Sequence, residues 1–454
     1  MKKPSKTKVI VTTLVNTILL PFNEFIKFQQ ASGVLLLAAT AVSLLWANSA
    51  AGHSFIEFWE KPFALQIGDF TASSSVLHFV NDGLMTLFFV VVGLEIKREI
   101  MEGELSTRQK AVLPVLAAVG GMVVPALFFA MFNFGRDTQH GWGIPMATDI
   151  AFSLTILSLL GTRVPAGLKI FLAALAIVDD LGAILVIALF YSSNLNLEAL
   201  LWGLAAFGGL MALNVARVHN MLPYFLLGAL LWTLFLKSGI HPTIAGVLFA
   251  ASVPHRRRGA SEPKVEAAVQ QLEKQLKMLQ SPDCRQDKML RDQVLEEMQV
   301  VSSSIESPLQ NLLHSLHPFS SYVIMPLFAL ANAAIVFGNI TADEIVQPLG
   351  LGILVGLVLG KPLGITFAAW IGVKAGLAVL PNRVSFTKIY GMGCLAGIGF
   401  TMSIFIANLA LRGHGIELAK GAVLLASGIA AISGYLVLLL QSMLARRPDL
   451  QKAE

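Results

Sequence analysis

Two carboxylates stand side by side, Asp179-Asp180, in the run FLAALAIVDDLGAILVIALF, with about eight apolar residues before them and a similar run after. An ionised side chain at the centre of a bilayer costs roughly 3 kcal/mol on insertion scales, so such residues read as functional by default. Neighbouring helix positions point about 100° apart. Both carboxylates can therefore line one cavity while pointing in different directions. Burial and a like-charged neighbour both favour the protonated form. A hard cation, which takes oxygen ligands, then competes with protons for the same atoms. The alternative, a hydrogen-bonded structural pair, needs donors that this apolar run does not supply.

Three further ionisable residues fall within apolar stretches: Asp149, Lys361 and, nearer the end of its stretch, Asp82. Asp149 follows Thr148 in GWGIPMATD, where Gly143 and Pro145 interrupt the span. Proline frees a carbonyl and breaks the helical ladder. A second interruption is predicted at GMGCLAGIGFT, residues 391–401. Broken backbone at membrane depth is tolerated only against protein or a cavity, and paired breaks in matching places point to a transport site. The ends of half-helices carry partial charge, positive at N-termini and negative at C-termini. If the breaks cross, Asp149 can neutralise the positive ends and Lys361 the negative ends, with Lys361 also in reach of one aspartate. Thr148 and Asp149 then support the site.

Several other chemistries are excluded. The string GLVLGK, residues 356–361, is one residue short of a phosphate-binding loop, and Pro362 replaces its Ser/Thr. The adjacent aspartates do not match a membrane aspartyl protease, whose pair sits on separate helices. No cofactor is called for. Cys284 and Cys394 fall in a polar loop and an apolar span, too few and too far apart in character for a disulfide framework.

The elements that must position these residues follow from composition. The chain has 454 residues, 55% hydrophobic and 13% charged, against about one quarter charged in soluble domains. About twelve stretches approach the roughly 20 residues that a bilayer crossing needs: 31–49, 76–96, 111–133, 143–160, 168–190, 197–214, 222–237, 239–254, 318–337, 346–372, 387–411 and 418–444. The chain reads as an all-α polytopic membrane protein in which spans 4 and 11 are interrupted and cross. Spans three to five and ten to twelve would form inverted-topology repeats. Gly352, Gly356, Gly360 and Gly364 make a ridge for a closely packed neighbour.

The charges orient the spans. With the N-terminus inside, the inner segments carry twenty-seven Lys and Arg and the outer ones only Lys61, Arg136, Lys237, Arg412 and Lys420. That asymmetry is the positive-inside rule, so the net charge of +5 reports topology and calls for no nucleic acid. Both termini are then cytoplasmic. Residues 1–30 read as a cytoplasmic or interfacial amphipathic segment, centred on a helix over 9–28. Residues 31–254 hold spans 1–8, 255–317 a cytoplasmic helical loop, 318–444 spans 9–12, and 445–454 a cytoplasmic tail. Alternation around Gly68-Asp69 predicts a small external β-hairpin at 62–76. In the loop, Val265, Val269, Leu272, Leu276 and Leu279, then Leu290, Val294, Met298, Val301 and Ile305, form two helical stripes. At the inner end of span two, Glu95, Arg98 and Glu99 cluster, and His314 and His317 close the loop. Such a group can titrate near neutral pH or simply anchor the chain at the interface.

The strings FFVVVGLEIKRE, GGMVVPAL, PMATDIAFSL, LKIFLAALAIVDDLGAI, LKSGIHPTIAGV, IMPLFALANA, GKPLGI and GIGFTMSIFIA together resemble the NhaA-type bacterial sodium/proton antiporters, a family known for inverted repeats. The similarity covers nearly all the spans. It implies twelve helices with spans four and eleven crossed, in the bacterial inner membrane. It implies that Asp179 and Asp180 bind Na+ or Li+ and release H+, with Asp180 the main ligand and Asp179 pairing with Lys361 in one state. Glu95, Arg98 and Glu99 would join a pH-sensing cluster, and the hairpin around 62–76 would join two protomers. Three features depart from the family: the long cytoplasmic loop, an N-terminal extension of about twenty residues, and Leu313 where a glutamate is usual.

Two rival readings remain at this level. A channel would show single-channel currents and no coupled fluxes. A sodium-coupled symporter would accumulate an organic anion. Neither expects a proton released when Na+ binds.

Overall fold

The computed structural model describes residues 31–67, 70–192, 195–218, 220–255, 307–381 and 384–450, with short pieces between 270 and 297. The helix expected over 9–28, the turn Gly68-Asp69 and most of both loop stripes lie outside these residues. Within the loop, Gln275 Nε2 donates to Glu297 at 3.1 Å.

Among the described residues, seven helices are long and apolar enough to cross a membrane: Val76–Met101, Arg108–Asn133, Ala166–Phe190, Leu197–Val215, Met221–Ser238, Pro348–Lys374 and His414–Leu444. Three further pairs bend sharply at a short break. Two fall at the expected interruptions, Asp137–Met146 with Ile150–Leu159 (43°) and Phe386–Ala396 with Phe400–Ala410 (51°). The third, Ala31–Ala47 with Gly52–Glu60 (114°), adds a short helix that periodicity did not suggest. Its aromatics fold back on the first helix, with Phe55 stacked on Trp46 at 4.8 Å and Trp59 edge-on to Phe55 at 6.0 Å. Two strands follow, β1 (Pro62–Ile67) and β2 (Phe70–Ser75), antiparallel from Pro62↔Ser75 to Ile67↔Phe70. Leu189, Leu201, Trp202, Leu226 and Leu440 are exposed. Outward apolar surface on this scale marks a lipid or protein partner.

The chain divides into two compact units. The larger holds the described residues up to Phe88, Glu99–Ser192 and those from Ser320 onward. In it, Arg108–Asn133 packs along Pro348–Lys374, and the glycine ridge is what lets them approach. A Cβ on Gly364 would lie 2.2 Å from the Gly120 carbonyl oxygen, and one on Gly120 would lie 2.3 Å from that of Gly364. Each glycine faces the other helix's backbone, so neither can yield by turning a side chain. Gly364→Val is therefore expected to lower the thermal midpoint in detergent by at least several degrees, because a rigid branched side chain overpacks the seam. Gly428→Ala, where the added methyl meets nothing within 4 Å, serves as control and should hold or gain about 1 kcal/mol of helix stability.

Gly356–Gly360 adopts a π-helical turn directly before Lys361. Such turns insert a residue into the helical count and often occur at functional sites. Another, Ser320–Ile324, lies between Pro308–Phe319 and Met325–Asn332. The helical run thus starts well before residue 318, where span 9 was expected to begin. Pro318 sits inside it, and the π turn begins two residues later.

The smaller unit comprises Phe89–Arg98 and the described part of Ser193–Phe319. Its core gathers Leu94, Leu210, Tyr224, Leu231, Phe235, Phe249, Leu309 and Leu313. Met221–Ser238 ends at Gly239, whose φ of 82° is the left-handed cap that glycine favours. That cap separates the seventh expected span from the eighth, which shortens to Thr243–Ser252. Lys97 Nζ donates to the Ala251 and Val253 carbonyls at 2.6 and 2.5 Å, placing positive charge at the negative end of that short helix.

Candidate functional site

The first broken helix is a 3-10 segment, Asp137–Met146, then an extended stretch, then Ile150–Leu159. Pro145 explains the break, since it cannot donate to the turn before it. The second runs Phe386–Ala396, breaks at Gly397–Gly399, and resumes as Phe400–Ala410. The two breaks touch through their backbones: the Asp149 amide donates to the Ile398 carbonyl at 2.7 Å.

Asp149 caps both resumed half-helices. It accepts from the Phe152 amide at 3.0 Å on its own helix. From the other it accepts the Thr401 hydroxyl at 2.5 Å and the Thr401 amide at 3.3 Å. One buried carboxylate thus faces two positive helix ends. The opposite ends are carbonyl-rich. Lys361 Nζ donates to the Met146 carbonyl, where the first segment stops. The Thr148 hydroxyl lies 2.9 Å from the Ala396 carbonyl, where the second segment stops.

Asp179 joins these pieces from the unbroken helix Ala166–Phe190. Its Oδ2 accepts from Lys361 Nζ at 2.7 Å and lies 2.7 Å from the Thr148 hydroxyl. Thr148 therefore has two acceptors for one proton. Asp179 Oδ1 is buried and has no hydrogen-bond partner. Lys361, Thr148, Asp149, Asp179 and Asp180 are all buried, none more than 4% exposed. A buried ion pair needs its remaining lone pairs satisfied to offset desolvation. The orphaned Oδ1 leaves that requirement open and offers a ligand position to a small cation. Asp180, the next residue, projects from the same helix about 100° away.

The remaining candidates lie apart from this cluster. Asp82 sits in a π-helical turn, Phe79–Leu84, and pairs with His78 at 2.8 Å. In the smaller unit, Glu95 meets His317 at 3.1 Å, both largely buried. His314 is exposed, whereas Leu313 beside it is buried in that unit's core. Arg98 lies in the last turn of the helix that runs to Met101. Glu99 belongs to the larger unit and accepts from the Glu104 amide at 2.9 Å.

Four partners escaped the sequence reading: Thr401, Ser153, Ser403 and the Ala396 carbonyl. A signal was available for three. A hydroxyl within an otherwise apolar span must find an acceptor; IAFS places one just past its break, and GFTMS places two.

Comparison with known proteins identifies the family. Residues 23–438 match a family described as Na+/H+ antiporter 1. A protein named Na(+)/H(+) antiporter NhaA from Oleidesulfovibrio alaskensis is 45% identical over 432 residues, which cover 93% of this chain and 94% of that one. Proteins of the same name from Sulfurimonas denitrificans (42% over 422 residues, 92% and 94%) and Helicobacter pylori (43% over 429 residues, 93% and 96%) are similar over comparable lengths. With that match running through both broken helices and the Asp179-Asp180 helix between them, the chain belongs to the Na+/H+ antiporter 1 family.

Proposed function

We propose that the chain is a secondary transporter of the inner membrane that exchanges Na+ for H+ at Asp179 and Asp180. The observation that carries the site assignment is the divided state of Asp179: one oxygen held by Lys361 and Thr148, the other buried without a partner. In this arrangement the lysine supplies the positive charge that a buried carboxylate requires. A cation arriving at the free oxygen and at Asp180 supplies that charge instead. Lys361 and the protons are then in surplus, and a proton leaves. Protons arriving from the other side displace the cation there and complete the exchange. Since either occupant satisfies the same carboxylates, the two cannot bind together, and their fluxes are coupled through alternating access.

Several features extend this reading. Li+ shares the oxygen preference of Na+ and is a second substrate. Two adjacent carboxylates release more than one proton per cation, which makes exchange electrogenic. Twelve crossings are reached by counting the seven straight spans, the three bent pairs, Thr243–Ser252 and the run from Pro308 to Asn332; both termini are then cytoplasmic. The Glu95–His317 pair, with Arg98, Glu99 and His314 nearby in sequence, lies at the inner end and regulates exchange by pH. The strands at 62–75 face outward and join two protomers.

The direct test uses everted vesicles with an internal acid load and a pH-sensitive dye. Adding Na+ or Li+ should dequench the dye, at several pH values. Uptake of Na+ with no change in dye signal would remove the exchange mechanism.

A further inference from the structure

The two broken helices are joined by a reciprocal pair of serines that the exchange reading does not use. Asp149 caps Ile150–Leu159, and Ser153 lies one turn on, its amide bonded to the Asp149 carbonyl at 3.0 Å. Gly399 holds the same place before Phe400–Ala410, and Ser403 lies one turn on, its amide bonded to the Gly399 carbonyl at 2.9 Å. Each serine ignores its own helix and donates across the crossing. Ser153 Oγ reaches the Leu395 carbonyl at 2.8 Å. Ser403 Oγ reaches the Ile144 carbonyl at 2.7 Å. Both acceptors sit where the other broken helix is about to stop. Both serines are fully buried.

The placement matters because of what adjoins each acceptor. Leu395 precedes Ala396, whose carbonyl contacts Thr148. Ile144 lies two residues before Met146, whose carbonyl holds Lys361. Terminal carbonyls of a helix have no partner within it. Their direction is therefore set by whatever donor they find. We propose that Ser153 and Ser403 are positioning residues for exchange, each fixing the carbonyl end of the opposite broken helix and thereby the places of Thr148 and Lys361 around Asp179. The proposal rests on Asp179 as the exchange site. A hydroxyl that merely filled space could be replaced by a methyl without effect on cation binding. One that aims a carbonyl cannot, because the carbonyl is left buried and free to turn.

The test is sodium-dependent exchange in everted vesicles, with KM and maximal rate measured separately, for Ser153→Ala and Ser403→Ala. Each is expected to raise the KM for Na+ about tenfold while the maximal rate per folded transporter stays within about twofold. Gly399→Ala supplies an independent break, since its new Cβ would lie 2.1 Å from Ser403 Oγ and must displace it. It should raise KM as Ser403→Ala does, and the double variant should be no worse than either single, because both remove one interaction. If an alanine variant fails to reach the membrane, Ser153→Cys and Ser403→Cys keep the volume and a weaker donor, with a smaller rise in KM expected. An unchanged KM in the serine variants, or additive effects of Gly399→Ala and Ser403→Ala, overturns the proposal. Failure of the Asp179 reading is distinguishable, since Asp179→Asn would then retain exchange whatever the serines do.

Discussion

Asp180→Asn is expected to abolish Na+-driven proton release. Asp180→Asn keeps the side-chain volume in a helix position that is buried, and it leaves the Lys361–Asp179 pair in place. What it removes is a charge and a titratable oxygen. An amide cannot release a proton to an arriving cation, and it presents one neutral ligand where there was a carboxylate. Exchange is expected to fall at least a hundredfold, on the scale of losing one charge-assisted interaction of about 3 kcal/mol, with membrane insertion and thermal midpoint near those of the parent. The measurement is dye dequenching in everted vesicles, paired with the midpoint in detergent. Parental exchange in a normally folded Asp180→Asn protein would remove Asp180 from the mechanism.

The second large effect falls on stability as well as transport. Lys361→Met keeps the length of the side chain and deletes its ammonium. Asp179 Oδ2 then loses its cation, and the Met146 carbonyl loses its donor. Breaking one side of a buried pair costs about 3–5 kcal/mol, because a buried charge is left uncompensated. The thermal midpoint should drop by many degrees. Adding Asp179→Asn should recover part of the loss, since the stranded charge is then gone, although exchange stays absent. A double variant as unstable as Lys361→Met alone would show that the pair is not the source of the cost.

Much of this site was legible because intramembrane charge is rare. Asp149, Asp179 and Lys361 stood out by type against apolar surroundings, and the structure gathers them at the crossing of two broken helices. The breaks themselves were announced by Gly143, Pro145 and the glycines of 391–399, residues that leave a helix for reasons of local geometry. What stayed hidden was hydrogen bonding. Thr401, Ser153 and Ser403 look like ordinary small residues in a helix, and their role depends on which carbonyl lies across the crossing, which no local pattern encodes. Near 318 a hydropathy window sees where apolar residues begin, whereas the helix itself starts earlier, at Pro308, on an amphipathic face. The helix Gly52–Glu60 was missed because nine residues cannot span, and its reason for existing is the aromatic packing onto Trp46.

The widened turn at Gly356–Gly360 carries a consequence for how this protein tolerates change. The residues ahead of it and Lys361 behind it belong to one span but obey two different angular phases. Shortening that turn by one residue would preserve every side chain on either side and still swing the ammonium about a quarter-turn away from Asp179. Length, and not only identity, is thus fixed in this five-residue stretch, so insertions and deletions there should be far less forgivable than substitutions of its valine or leucines.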